Sequence, residues 1–243
     1  MTALPIPERA ALFLDFDGTL VDIADRPDWV SVAPDLPDLI RAASSAAGGA
    51  LAVVSGRKIM EIDGFLALPV AAAGMHGLER RSAPGADIEF APPPDAIDEL
   101  RQRLTAWDGL TGGVTMEDKG AGLAIHYRAD SARETEVKTA MAGFTADLPA
   151  LHLIHGKMVV EAKGTGFDKG AAVDAFLTHP PFVERIPIFI GDDTTDEDGM
   201  RAAQAAGGFG VKVGDGPSCA FHRVPDVAAV HAYLDAFSKG VRP

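Results

Sequence analysis

Cysteine is almost absent from this chain, since Cys219 is the one cysteine among 243 residues. A single cysteine cannot form a disulfide within the chain, and disulfides are typical of secreted proteins. Long apolar stretches are absent too, because none approaches the roughly 20 residues that a membrane-spanning helix needs. The N-terminus lacks the charged and then apolar pattern of a signal peptide. We therefore expect a cytoplasmic protein with no membrane partner.

Positive charge is also scarce. The chain has 22 Lys and Arg residues against 35 Asp and Glu residues, which gives a formal net charge of −13. Such a surface repels nucleic acids and anionic membranes, so we expect neither as a partner. Any anionic substrate must instead meet local positive charge. The seven histidines are scattered along the chain, which disfavours a zinc site.

Two sections of the chain alternate between strand and helix patterns. The predicted strands span 11–16, 51–55, 70–74, 186–190 and 209–213, and the predicted helices span 35–47, 58–66, 167–177, 195–206 and 227–237. These strands are apolar throughout, which favours a parallel sheet with helices on both faces. We therefore predict an α/β fold whose core is a doubly wound, Rossmann-like parallel sheet.

The stretch between these sections has a different pattern. Residues 114–128 and 157–163 alternate apolar and polar side chains as half-buried strands do, while residues 95–106 and 131–148 have helical spacing. This pattern predicts an antiparallel sheet with two helices on one face. We expect residues 1–77 and 165–243 to form the core domain and residues 78–164 to form an inserted α+β domain.

Two carboxylates follow the first predicted strand, in "LFLDFDGTL". Side chains two apart on an extended chain face the same way, so Asp15 and Asp17 can share one site, where their charges repel. A magnesium ion would offset that repulsion, because it prefers oxygen ligands and needs few carboxylates besides a substrate phosphate. Asp192, at the end of another strand, would complete the ligands. One carboxylate could then attack phosphorus while its neighbour transfers the proton.

Other predicted strand ends supply donors for a phosphate. Ser55 offers a hydroxyl group, Lys169 a positive charge, and the backbone amides of Gly18 and Thr19 an anion-binding concavity. In an open parallel sheet, ligands bind beyond the carboxyl ends of the strands. Ser55 and Lys169 also fit plainer roles, as a helix cap and as an exposed lysine of a first helical turn.

Four motifs, "DFDGT", "VVSGR", "FDKG" and "GDDTTDED", resemble those of the haloacid dehalogenase superfamily of aspartate-nucleophile phosphatases. The resemblance implies that Asp15 is the nucleophile and that Asp17 is the acid/base and a metal ligand through its carbonyl. It implies that Asp192 binds Mg²⁺ through its side chain, supported by Asp193 and Asp196, and that Ser55 and Lys169 are catalytic. The insertion lies where this superfamily carries a type C2 cap.

Further pieces, "AGMHGLE", "MEDKGAGLAIHYR" and "VVEAKGTGFDKG", are similar to the trehalose-6-phosphate phosphatase family. This resemblance implies hydrolysis of a sugar phosphate, trehalose 6-phosphate, to trehalose and phosphate. In that family the cap residues matching Glu117, Lys119 and Glu161 bind the sugar. The expected substrate-binding residues are Thr19, Gly56, Arg57, His76, Gly77, Glu117, Lys119 and Glu161.

Two other functions stay open. A related phosphatase of sucrose 6-phosphate or mannosyl-3-phosphoglycerate would share the phosphate site and differ in the cap. A phospho-accepting signalling module would combine an aspartate, Mg²⁺, a hydroxyl group and a lysine, but such modules are about half this length and have no cap. We expect a monomer, with a homodimer as the alternative.

Overall fold

The computed structural model describes residues 4–24, 26–91, 94–120 and 122–240. The chain divides into two compact units, of which the first comprises Met1–Ala91 with Asp168–Pro243 and the second Pro92–Phe167. Within the described ranges, every helix is too short or too polar to cross a bilayer.

The described strands are β1 (Ala10–Leu14), β2 (Leu51–Val54), β3 (Ala71–Gly74), β4 (Glu79–Arg81), β5 (Glu89–Phe90), β6 (Thr115–Asp118), β7 (Gly122–His126), β8 (Leu151–Gly156), β9 (Val159–Gly164), β10 (Ile186–Gly191), β11 (Phe209–Val213) and β12 (His222–Val224). The described α-helices are α1 (Leu36–Ala46), α2 (Ile59–Leu66), α3 (Asp95–Thr105), α4 (Glu134–Thr145), α5 (Lys169–Leu177), α6 (Asp196–Ala205) and α7 (Val227–Ser238).

The first unit is built on an eight-stranded sheet in the order β12-β11-β10-β1-β2-β3-β4-β5. The six strands from β12 to β3 run parallel, and β4 and β5 continue the sheet antiparallel. All five residues of β1 are buried, so both faces of this central strand are covered. The predicted α/β fold with a doubly wound parallel sheet is confirmed.

The first unit extends to Ala91, beyond the predicted boundary at Gly77. The unit extends further because the short strand β4 pairs with β3, and two of its polar side chains are buried against α2 and the segment around it. Glu79 accepts a hydrogen bond of 2.7 Å from the backbone N–H of Ile59, at the start of α2. Arg81 donates two hydrogen bonds to Asp63, of 2.7 and 2.5 Å. A polar three-residue strand of this kind carries no apolar pattern that the sequence could reveal.

The second unit is an antiparallel sheet in the order β6-β7-β9-β8. Its apolar face packs on α3 and α4 in a core of its own, as the alternation predicts. The segment 114–128, predicted as one strand, is instead the hairpin of β6 and β7. Gly120 turns the chain with a φ of 83°, which a residue with a Cβ adopts only with strain.

Candidate active site

A cavity of about 430 Å³ lies in the first unit, at the carboxyl ends of its parallel strands. Three loops that follow β1, β2 and β10 meet the start of α5 there. This edge is where open parallel sheets bind ligands. The residues that line the cavity are Asp15, Asp17, Ile23, Ser55, Gly56, His76, Lys169, Asp192, Asp193 and Thr195.

Two of these residues, Asp15 and Lys169, form a buried ion triad with Asp196. The Nζ of Lys169 lies 2.6 Å from Oδ1 of Asp15 and 2.6 Å from Oδ1 of Asp196. The three side chains are 3%, 6% and 0% exposed, in that order. Buried charges persist only when they are paired and hydrogen-bonded, so each member of the triad depends on the others. Asp168 caps α5 by accepting a 2.8 Å hydrogen bond from the N–H of Ala171, which fixes Lys169 in the first turn of the helix.

Asp196 organises the loop after β10. Its Oδ2 accepts hydrogen bonds from the backbone N–H groups of Asp192 and Asp193, at 3.0 and 2.9 Å, while its Oδ1 holds Lys169. Asp196 thereby ties the Asp192 loop to Lys169. Asp193 and Asp196 were predicted to support the metal ligands; Asp193 lies in this loop and Asp196 at the start of α6.

Negative charge dominates the site despite Lys169. Burial raises the pKa of Asp15 to about 8, although Lys169 acts to lower it, and the carboxylate of Asp196 adds to the rise. Burial also raises the pKa of Asp192, and the neighbouring Asp196 and Asp193 carboxylates raise it further. Burial alone would lower the pKa of Lys169, but Asp15 and Asp196 outweigh burial and raise it. The Lys169 side chain is therefore cationic, and the carboxylates favour a further cation.

The donor set fits a divalent cation that takes oxygen ligands. Asp15, Asp192 and Asp196 each offer a carboxylate oxygen, and the three atoms lie within 4.8 Å of one another. Because Asp196 already bonds Lys169 and two amides, Asp15 and Asp192 have more of their capacity left for an ion. Carboxylate oxygens of this kind suit Mg²⁺. Two sequence-predicted ligands, Asp15 and Asp192, thus lie together.

Gly18 and Lys212 shape the position of Asp192. A Cβ at Gly18 would lie 2.2 Å from Oδ2 of Asp192, and its φ of 78° is one that side chains rarely adopt, so only glycine fits there. Lys212 is buried and donates to the backbone carbonyls of Asp192 and Val213. Sequence reasoning missed Lys212. Its signal was a single charge within the otherwise apolar strand "FGVKV".

Asp17 lines the cavity and is held by a bidentate ion pair. The Nε of Arg57 donates to Oδ2 of Asp17 at 2.6 Å, and Nη2 donates to Oδ1 at 2.7 Å. Hydrogen bonding to Asp17 raises the pKa of Arg57. Arg57, predicted to bind substrate, does not line the cavity among the described residues. Its guanidinium bonds Asp17 instead.

Of the other groups predicted to contact the phosphate, some lie at the cavity and others are bonded elsewhere. Ser55 is buried at the cavity, where its Oγ accepts a 3.2 Å hydrogen bond from the N–H of Arg57. A Cβ at Gly56 would lie 2.8 Å from Nε2 of His76, so these two cavity residues are in close contact. The predicted anion-binding amides are already used, because Gly18 N–H donates to Val21 and Thr19 N–H to Phe16.

Thr19 and Gly77 do not line the cavity among the described residues. Thr19 is fully buried, and its Oγ1 has no hydrogen-bond partner within the described part of the chain. Gly77 has a φ of 101° and packs against Asp168, before α5. Both residues were predicted to bind substrate, and that role stays a prediction. Ile23 and Thr195 line the cavity without having been predicted.

In the second unit, the three predicted sugar-binding residues share one polar sheet face. Glu117 and Glu161 lie in register across Ala124 of β7. Lys119 Nζ donates to Oε2 of Glu161 at 2.8 Å, and Nε2 of His126 lies 2.8 Å from Oε2 of Glu117. This face lies opposite the core packed on α3 and α4.

Comparison with known proteins identifies similar sequences over nearly the whole chain. The sequence model described as trehalose-phosphatase matches residues 13–222. A probable trehalose-phosphate phosphatase of Sinorhizobium fredii (strain NBRC 101917 / NGR234) is 40% identical over 94% of this chain and 87% of its own length. The trehalose-6-phosphate phosphatase of Escherichia coli (strain K12) is 37% identical over 96% of this chain and 88% of its own length.

Solved structures show the same fold at lower identity. A trehalose-6-phosphate phosphatase of Aspergillus fumigatus superposes with a TM-score of 0.76 at 21% identity, over 96% of this chain and 93% of the other. A haloacid dehalogenase-like hydrolase from B. subtilis has a TM-score of 0.64 at 14% identity, over 96% and 99% of the two chains.

Proposed function

The chain belongs to the trehalose-phosphatase family, and from that premise we propose that it hydrolyses trehalose 6-phosphate to trehalose and phosphate, with Mg²⁺, through an aspartyl-phosphate. The observation that carries this proposal is the buried cluster of Asp15, Lys169 and Asp196 at the strand ends, with Asp192 beside it. Such a cluster offers a nucleophile, a fixed positive charge and cation ligands in one cavity.

In the first step of the proposed reaction, the Asp15 carboxylate attacks phosphorus as the bond between phosphorus and the sugar oxygen breaks. Asp17 gives its proton to that oxygen, so the sugar leaves as a neutral alcohol. In the second step, Asp17 takes a proton from water as the water oxygen bonds to phosphorus, and Asp15 is released. Lys169 keeps Asp15 oriented through both steps, and Ser55 donates to a phosphate oxygen.

The ion would be held by the carboxylates of Asp15 and Asp192 and by the backbone carbonyl of Asp17. When bound, Mg²⁺ supplies positive charge that offsets the charge of the phosphate and of the surrounding carboxylates. Asp193 and Asp196 would hold the ligand loop, since Asp196 accepts the N–H groups of both residues after Gly191. Gly56 and His76, which line the cavity, are the proposed neighbours of the phosphate.

We further propose that the second unit selects the sugar. Glu117 and Glu161 would accept hydrogen bonds from sugar hydroxyl groups, and Lys119 would donate. Their mutual contacts support this role, because Lys119 and His126 keep the two carboxylates oriented on one face. We also propose a cytoplasmic protein without nucleic acid partners, on the grounds of its charge and composition, and a monomer with a homodimer as the alternative.

A substrate panel tests the proposed function. We expect kcat/KM for trehalose 6-phosphate to exceed that for glucose 6-phosphate and sucrose 6-phosphate by about 10²-fold or more, because unpaired polar groups penalise the wrong sugar. Glu161→Ala should reduce that lead to about tenfold or less. The measurement is initial-rate phosphate release for each ester.

Glu136→Ala is the matched control, since Glu136 is a half-exposed carboxylate of α4 that pairs with Arg133 outside the polar sheet face. This variant should keep the full lead of trehalose 6-phosphate. Equal or better turnover of sucrose 6-phosphate or mannosyl-3-phosphoglycerate by the unaltered protein would replace the proposed substrate with one of these.

A further inference from the structure

Asp17 is held on both carboxylate oxygens by one side chain. The Arg57 fork donates to Oδ2 and Oδ1 at 2.6 and 2.7 Å, which is the bidentate geometry that gives the strongest and most directional ion pairs. A carboxylate has about four acceptor positions, so this fork takes one on each oxygen and leaves one on each. The pair therefore fixes the plane of the carboxylate and still leaves room for a proton.

Arg57 is itself held in place by two aromatic rings. Its guanidinium carbon lies 4.9 Å from the ring centre of Phe65 and 5.8 Å from that of Phe16. The side chain is 12% exposed, whereas that of Asp17 is 35% exposed and lines the cavity. A guanidinium packed on aromatic rings in this way has few alternative positions. The carboxylate of Asp17 therefore faces the cavity, while Arg57, which holds it, is mostly buried.

We propose that Arg57 is the positioning residue that aims the Asp17 carboxyl group at the leaving oxygen of the substrate. This inference rests on the proposed function, in which Asp17 gives a proton to the sugar oxygen and later takes one from water. Arg57 keeps its own protons throughout, so it acts only by fixing the Asp17 oxygens. Proton transfer between heavy atoms needs hydrogen-bond distance, and a carboxyl group free to rotate meets that condition less often.

Leaving groups differ in how much they need a proton from Asp17. A sugar alkoxide is a poor leaving group and needs the proton from Asp17, whereas the phenolate of p-nitrophenyl phosphate leaves without one. The ratio kcat/KM reports only the steps up to release of the leaving group, which is the first step here. Loss of Arg57 should therefore lower kcat/KM for the sugar phosphate and spare it for p-nitrophenyl phosphate.

The test measures both esters with Arg57→Gln and Arg57→Lys. We expect Arg57→Gln to lower kcat/KM for trehalose 6-phosphate by about 10²-fold or more and that for p-nitrophenyl phosphate by about threefold or less. Arg57→Lys offers a point donor in place of the fork and should fall between the unaltered protein and Arg57→Gln. Because both rates come from the same sample, their ratio does not depend on how much of the protein is folded.

Two further variants isolate the effect. Arg81→Lys disrupts another buried, bidentate arginine pair, with Asp63, outside the cavity lining, and should leave the ratio of the two rates unchanged. In an Asp17→Asn background, Arg57→Gln should cause little further loss for trehalose 6-phosphate, because residues that act through one another are non-additive.

Three results would overturn the proposal: an equal loss for both esters, an unchanged rate for the sugar phosphate, or full additivity with Asp17→Asn. None of these would refute the phosphatase function, which would fail instead if the unaltered protein hydrolysed neither ester.

Discussion

An Asp15→Asn protein is expected to lose about 10⁴-fold or more in kcat for trehalose 6-phosphate, because a neutral amide cannot replace the attacking carboxylate. Asparagine has nearly the same shape, so the cavity and its other residues are retained. The rate is measured as phosphate release under saturating substrate. Asp174→Asn, at an exposed carboxylate of α5, is the control and should keep full activity.

The same substitution should change how stability depends on pH. Burial raises the pKa of Asp15 from 3.8 to about 8, so the folded chain binds this proton more tightly than the unfolded chain does. The contribution to the free energy of unfolding is therefore complete below about pH 4 and is lost as the pH rises through about 8. Asp15→Asn removes this loss.

Chemical denaturation in the presence of a chelator measures this effect. From pH 5 to pH 8, the free energy of unfolding of Asp15→Asn should rise relative to that of the unaltered protein. A difference that stays constant over this range would contradict the assignment of a buried, costly charge to position 15. Near-normal phosphate release by Asp15→Asn would contradict the nucleophilic role.

Removal of divalent cations is expected to abolish turnover, and return of Mg²⁺ is expected to restore it. Burial is the main cause of the raised pKa values of Asp15 and Asp192, so without the cation Asp15 keeps a proton near neutral pH and is a weaker nucleophile. The measurement is phosphate release before chelation, after it, and after Mg²⁺ is added back.

Thermal unfolding gives a second readout that needs no substrate. At 100 times its dissociation constant, Mg²⁺ should stabilise the protein by about 2.7 kcal/mol. The gain should be larger at pH 8 than at pH 5.5, because protons compete with the ion for carboxylates whose pKa values are raised. Asp192→Asn should lose the gain and Asp174→Asn should keep it. If Asp192→Asn kept the full stabilisation by Mg²⁺, the ion would bind elsewhere. Full activity in excess chelator would show that the reaction needs no divalent cation.

The main features of the fold and of the cavity follow from local patterns. Fully apolar strands predict a parallel sheet, and the carboxyl ends of parallel strands bring Asp15, Ser55 and Asp192 to one edge although they are far apart in sequence. The alternation in β7 and β9 likewise predicts which face of the second sheet is polar.

What the sequence could not predict are polar pairs between distant segments. Arg57 was expected at the phosphate, but its partner is Asp17, and nothing in the local pattern records that bidentate contact. Strand β4 was missed in the same way, because Glu79 accepts from the backbone N–H of Ile59 and Arg81 pairs with Asp63, both distant in sequence. Lys212 was missed because it donates to the backbone carbonyl groups of Asp192 and Val213. Every residue has such a group, so the residue types at these positions do not indicate the contact.

Trapping of a phosphoryl group on Asp15 tests the central claim most directly. An Asp17→Asn protein lacks the base for the second step, so with p-nitrophenyl phosphate it should release one burst of p-nitrophenol and retain the phosphoryl group. Acid quenching and peptide mass spectrometry should then place that group on Asp15, and the double variant with Asp15→Asn should retain none. A burst without a phosphorylated peptide, or a phosphoryl group on another residue, would contradict the account.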